Sequence, residues 1–135
     1  MSSPTILLVE DNREDVLFFR YALTKAGFAW NLRVAEDGQK AVDQLSRSAT
    51  SALSHVLLDL KLPIKSGLEV LEWIRKHPAL AQTPVIVLTS SDVPSDVERA
   101  RALGVDAYLI KPLTTNGLVE TIRTIAERWK LSPSR

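Results

Sequence analysis

The chain contains no cysteine, which removes disulfides, thiolate catalysis and every cysteine-containing zinc site. It has two histidines, His55 and His77, so a metal site would have to be built from oxygen ligands. Neither sign of charge prevails: 17 Lys and Arg against 16 Asp and Glu leave a net charge of +1. Composition therefore gives no reason to expect nucleic acid or an anionic membrane as a partner. Long hydrophobic runs are missing too. Residues 1–5 carry no basic side chain, and the apolar run 6–9 is cut off by Glu10 and Asp11; that is neither a signal peptide nor a membrane span, and a cytoplasmic protein is expected. Glycine and proline are scarce, 5 and 7, beside 45% hydrophobic and 24% charged residues, which describes a globular chain and not a disordered one. At 135 residues it is one domain's worth, able to bury roughly two-thirds of its unfolded surface.

Short apolar runs alternate with longer helical patterns. Residues 6–9 (Ile-Leu-Leu-Val), 56–58, 85–88 and 107–110 read as strands buried on both faces. Trp30, Leu32 and Val34 alternate with Asn31 and Arg33, as in a strand nearer a sheet edge. Ser66 with Glu69 and Ser95 with Glu98 fit the S-x-x-E capping box. Asn12 can cap a first helix that has Asp15 in its opening turn. Stop signals follow at Gly27, at His77-Pro78 and at Gly104. The pattern predicts strands near 5–9, 30–34, 55–59, 84–89 and 107–110, with helices near 13–26, 38–47, 67–76, 96–103 and 115–130. Five β-α units imply an α/β domain: a five-stranded parallel sheet with helices on both faces and right-handed crossovers. Residues 1–4 and 132–135 read as terminal tails.

In such sheets ligands bind beyond the carboxyl ends of the strands. The first strand ends in Glu10-Asp11, the third in Asp59, the fourth in Thr89-Ser90-Ser91 and the fifth in Lys111-Pro112. The second ends in Glu36-Asp37-Gly38, which reads as a plain turn. Each of these is ordinary alone; their convergence on one sheet edge is not. Two unit negative charges ~4 Å apart repel by ~4 kcal/mol at a dielectric near 20, against a total stability of only ~5–15 kcal/mol. A divalent cation resolves this, and an all-oxygen site suits Mg²⁺. A lysine and a threonine hydroxyl suit a transferred phosphoryl group, and an aspartate between these partners can act as nucleophile, forming an aspartyl phosphate.

Over residues 5–128 the sequence resembles the receiver domains of two-component response regulators. The resemblance implies the (βα)5 flavodoxin-like fold with strand order 2-1-3-4-5. It makes Asp59 the phosphoacceptor, Asp11 the direct Mg²⁺ ligand, Glu10 a ligand acting through water, and the Lys61 backbone carbonyl a further ligand beside Asp59. Thr89 corresponds to the switch hydroxyl, Lys111 to the phosphate-binding lysine, and Tyr108 to the switch aromatic. Leu62-Pro63 and Gly67 match the turn after the acceptor, Ser90 the required small residue, and the Lys111-Pro112 bond would be cis. The implied activity is acceptance of a phosphoryl group from a sensor histidine kinase, with output through protein contacts and no catalysis beyond the protein's own phosphorylation and dephosphorylation. Residues 9–17, 58–63 and 87–91 are similar to stand-alone, phytochrome-associated response regulators, a subgroup that includes homodimers; a phytochrome-type kinase and a homodimer join the expectations.

No G-x-x-x-x-G-K-[ST] or G-x-G-x-x-G loop is present, so neither nucleotide-binding loop is available. Haloacid-dehalogenase-type phosphatases would place a second aspartate at position 61, where lysine stands. A receiver-shaped adaptor that works without phosphorylation is the alternative. Leu17 and Tyr21 face away from the core positions Phe19, Ala22, Leu23 and Ala26; they are either ordinary exposed apolar residues or a kinase-docking patch. Trp129 and Leu131 either cap the core or join a dimer interface. One expectation follows from the charge argument alone. In thermal melts, Mg²⁺ should raise the unfolding temperature, and Asp59→Asn should stabilise the metal-free protein; melts indifferent to both would speak against a clustered acid site.

Overall fold

In a computed structural model, residues 4–48 and 53–131 are described. Five strands, β1 (Thr5–Val9), β2 (Asn31–Ala35), β3 (Leu53–Leu58), β4 (Val85–Thr89) and β5 (Ala107–Ile110), alternate with five helices. These are α1 (Arg13–Ala26), α2 (Gly38–Ser48), α3 (Gly67–Lys76), α4 (Pro94–Ala102) and α5 (Thr115–Arg128). The strands pair in parallel in the order β2-β1-β3-β4-β5. The expected α/β, flavodoxin-like fold and strand order are both present.

The two-residue period of the strands divides the core. Leu7 and Val9, Val56 and Leu58, Val85 and Val87 point to one face, where Ala41, Val42 and Leu45 of α2 and Leu68, Val70, Leu71 and Ile74 of α3 cover them. Ile6 and Leu8, Leu57, Ile86 and Leu88 point to the other, against Phe19, Ala22 and Leu23 of α1 and Leu118, Ile122 and Ile125 of α5. Central strands sandwiched in this way are apolar at most positions, with Ser54 and His55 of β3 and Thr89 of β4 among the exceptions, which is why they read as short hydrophobic runs.

Local signals set most boundaries. The Asn12 side chain accepts from the Glu14 and Asp15 amides, and α1 stops at Gly27 in the left-handed conformation, φ 91°. Ser66 and Glu69 form the reciprocal capping box of α3. The second capping box does not form. Pro94 fixes its own φ and opens α4 at its first position after Val93, with no side-chain cap, so Ser95 falls inside the first turn. The plain turn after β2 is also more than a turn: buried Asp37 accepts from the Lys40 amide, starting α2. A methyl group on Gly38 would collide with the Lys65 carbonyl, bringing this turn close to the segment after β3.

At the opposite edge of the sheet the end of α5 closes the core. Half-buried Trp129 meets His55 of β3 edge-on, ring centroids 5.4 Å apart, and Trp129 and Leu131 pack on the second core layer. The Arg128 guanidinium covers the Trp129 ring at 4.7 Å. His55 is buried, and neither ring nitrogen has a hydrogen-bond partner. Burial holds its pKa below the ordinary 6.5, the negative charge of Asp106 only partly opposing this. The unfolded chain therefore takes up a proton that the folded one resists, so stability is complete above pH 6.5 and falls as the pH drops below it. Melting temperatures measured from pH 7.5 to 5 should show this decline, and His55→Leu should flatten it; parallel curves for the two proteins would refute the assignment.

Candidate functional site

The sheet places the candidate residues at one edge. In the order β2-β1-β3-β4-β5 the chain direction switches between β1 and β3, and ligand crevices open there. Glu10 follows β1 directly and Asp59 follows β3; the Asp59 amide donates to the Val9 carbonyl at 3.1 Å, locking the two ends together. Thr89 closes β4, and the Lys111 amide donates to the Thr89 carbonyl at 2.8 Å, so β5 carries Lys111 to the same edge. Gly67 allows the close return after β3: a methyl there would strike the Asp59 carbonyl. The same connection holds Ile64 at φ 72°, strained for a β-branched residue.

Asp59, 6% exposed, is held from both sides. The fully buried Thr89 hydroxyl donates to its Oδ1 at 2.8 Å, the Lys61 amide donates to the same oxygen at 3.2 Å, and Lys111 Nζ donates to Oδ2 at 2.9 Å. Lys111 Nζ also lies 2.6 Å from Glu10 Oε1 and 3.0 Å from Asp15 Oδ2. Burial alone would lower the Lys111 pKa, but hydrogen bonds to Glu10, Asp59 and Asp15 outweigh it and push the pKa upward. Burial raises the pKa of Glu10, with Lys111 working against the rise. Carboxylate oxygens of Glu10, Asp11 and Asp59 all lie within 4.8 Å of one another. Three hard oxygen donors at that spacing fit a Mg²⁺-type cation and suit no soft metal. Lys61 has an exposed side chain, and its backbone amide faces Asp59 Oδ1.

The predicted set Glu10, Asp11, Asp59, Thr89 and Lys111 thus converges. Tyr108 lies one step away, its hydroxyl donating to the Ser91 carbonyl at 2.8 Å. Two features were not predicted. Asp15 is a third carboxylate on Lys111; in the sequence it stands in the first turn of α1 and within the 9–17 resemblance, with nothing there to link it to Lys111. Buried Ser91 donates from its hydroxyl to Asp96 Oδ2 at 2.6 Å, tying the end of β4 to α4. The implied cis peptide is absent: the described residues contain no cis bond, and Lys111-Pro112 is trans. The trans preference of such a bond is only about 0.5–1 kcal/mol, so surroundings decide, and here the trans bond coexists with Lys111 reaching all three carboxylates.

Beside these groups, α1 and the segment after β5 bound a cleft of about 480 Å³, lined by Phe18, Pro112, Leu113 and Leu118 and rimmed by Glu14, Asp15 and Lys111. Leu17 and Tyr21 on α1 are exposed, at 65% and 56%.

A doubly wound parallel sheet that gathers an aspartate, an acid pair, a hydroxyl and a lysine at one edge is the arrangement that the sequence resemblance leads one to expect of a receiver domain. The chain matches the family model of the response regulator receiver domain over residues 6–123 and belongs to that family. Among curated relatives it is 39% identical over 127 residues to the probable methanogenesis regulatory protein FilR2 of Methanothrix harundinacea, covering 92% of this chain and 82% of that protein. It is 34% identical over 120 residues to the polar-differentiation response regulator DivK of Brucella anthropi, covering 89% and 94%. Its structural neighbours include phytochrome-associated regulators. The phosphorylated cyanobacterial phytochrome response regulator RcpA superposes with a TM-score of 0.87 at 32% identity, covering 96% of this chain and 95% of that one. The Mn²⁺-bound form of response regulator Rcp1 gives 0.83 at 31%, covering 98% and 99%. No helix among the described residues is long and apolar enough to cross a membrane.

The charge arrangement makes Lys111 the keystone of the metal-free site. Lys111→Met removes the one cation shared by Glu10, Asp15 and Asp59 and should cost about 3 kcal/mol. Urea unfolding without metal should show this loss, and millimolar Mg²⁺ should return part of it; a variant as stable as the parent without metal would contradict the picture.

Proposed function

We propose that this chain is a response regulator that accepts a phosphoryl group from the phosphohistidine of a sensor histidine kinase onto Asp59, in a Mg²⁺-dependent reaction, and signals through protein contacts. One observation carries the reading: each Asp59 oxygen already faces a donor, Thr89 Oγ1 at 2.8 Å and Lys111 Nζ at 2.9 Å, beside the acid pair. The phosphorylated state of RcpA and the Mn²⁺ in Rcp1 support it by likeness.

Asp11, Asp59 and the Lys61 carbonyl would hold the ion, with Glu10 acting through water; when bound, it offsets the clustered carboxylate charge and the charge on the phosphoryl oxygens. The chain's own residues do the rest. An Asp59 carboxylate oxygen attacks phosphorus, the O–P bond forms as the P–N bond breaks, and the imidazole keeps the electron pair. Lys111 and Thr89 turn their donors from the carboxylate to the phosphoryl oxygens, where negative charge is spread in the transition state.

Output begins at Thr89. Its hydroxyl oxygen lies 3.4 Å from the Ser91 amide, and the Ser91 carbonyl holds the Tyr108 hydroxyl. Drawing Thr89 toward a phosphoryl group therefore disturbs the residue that fixes Tyr108, and with it the face formed by α4, β5 and α5. The kinase is of phytochrome type on this reading, supported by the names of RcpA and of RPA3017 in red light signalling of R. palustris, which superposes with a TM-score of 0.85 at 28% identity. Homodimer formation, a cytoplasmic location, and no catalysis beyond its own phosphorylation and dephosphorylation complete the proposal.

The competing reading is a receiver-shaped adaptor that needs no phosphorylation; a complete acceptor, hydroxyl and lysine set argues against it. Incubation with Mg²⁺ and acetyl phosphate, followed by intact mass, separates the two. The wild-type protein should gain one phosphoryl group and Asp59→Asn none; an unmodified wild type would leave the adaptor standing.

A further inference from the structure

Lysine has three N–H donors, and Lys111 spends one each on Glu10, Asp59 and Asp15, at 2.6, 2.9 and 3.0 Å. The three acceptors are not equivalent. Glu10 and Asp59 belong to the group whose oxygens could hold a cation, and Asp15 does not. On the phosphoacceptor reading the first two contacts would change, since Asp59 would carry an acyl phosphate and Glu10 would serve a bound cation through water. The contact to Asp15 is untouched by either change. Asp15 is also set on a rigid element. Its amide is held by Asn12 Oδ1 at 3.2 Å in the first turn of α1, while Lys111 ends β5, so the pair bridges two elements 96 residues apart. Both residues stand on the rim of the 480 Å³ cleft between α1 and the segment after β5.

We propose that Asp15 is a positioning residue for the phosphoryl chemistry: it tethers the Lys111 ammonium to α1 while the lysine's other two donors are redirected. The inference rests on the phosphoacceptor reading of Asp59. A four-carbon side chain released from all fixed partners would sample many rotamers, and only a few of them place the ammonium on a phosphoryl oxygen. The tether removes that search. Because Asp15 lies outside the candidate cation group, its removal should leave metal affinity alone.

The test compares wild type, Asp15→Asn and Asp15→Glu. At saturating Mg²⁺, the maximal rate of Asp59 phosphorylation by acetyl phosphate should fall about tenfold in Asp15→Asn, with the Mg²⁺ concentration for half-maximal rate unchanged and partial rescue in Asp15→Glu. Without metal or phosphodonor, acetylation of the Lys111 amine by limiting acetic anhydride, followed by peptide mass, should be faster in Asp15→Asn, since the ammonium has lost a partner. A role confined to helix stability would move neither the rate at constant Mg²⁺ affinity nor the amine's reactivity. If wild type is phosphorylated and Asp15→Asn matches or exceeds its rate, the tether is wrong while the acceptor stands. If wild type takes up no phosphoryl group, the acceptor reading falls and the tether with it.

Discussion

The site is organised around one ammonium group in a ring of carboxylates. Glu10 arrives from β1, Asp15 from α1 and Asp59 from β3, and Lys111 meets all three from the end of β5. Asp11 adds a fourth negative charge within reach of Glu10 and Asp59. Without the lysine these groups would repel through partly desolvated space; with it Glu10, Asp11 and Asp59 still lie close together in excess of positive charge, a cluster that could hold a divalent cation. The same imbalance suits the protein for transient chemistry. A fully neutralised site would have no reason to admit a metal, and a far more negative one would strain the fold that presents it.

From that ring a short chain of hydrogen bonds leads to the surface. Thr89 touches Asp59 on one side and lies near the Ser91 amide on the other; Ser91 holds Tyr108 through its carbonyl and Asp96 through its hydroxyl. A change at Asp59 thus reaches both β5 and the first turn of α4 through two residues. This economy follows from the fold, because β4 ends between β3 and β5.

Much of this was legible in the chain. Unbroken apolar runs marked the central strands because both faces of the sheet are covered, and Asn12, Ser66 and Gly27 marked helix ends because their chemistry acts within one turn. The acid pair, Asp59, Thr89 and Lys111 were legible since each directly ends or follows a strand. The failures also have local causes. Ser95 and Glu98 have the spacing of a capping box, but Pro94 starts the helix before Ser95 can cap it. The trans Lys111-Pro112 bond escaped because the two isomers differ so little in energy that no local pattern specifies them.

Sequence alone determined the periodicities, the helix caps and the residue types delivered to the strand ends, since those depend on neighbours a few positions apart. Only the tertiary structure decided that Asp15 joins Lys111, that Ser91 links β4 to α4, and that His55 lies unpaired beneath Trp129. Those relations join residues far apart in the chain, and their energies come from burial and from charges brought within hydrogen-bond distance, neither of which exists until the sheet has assembled.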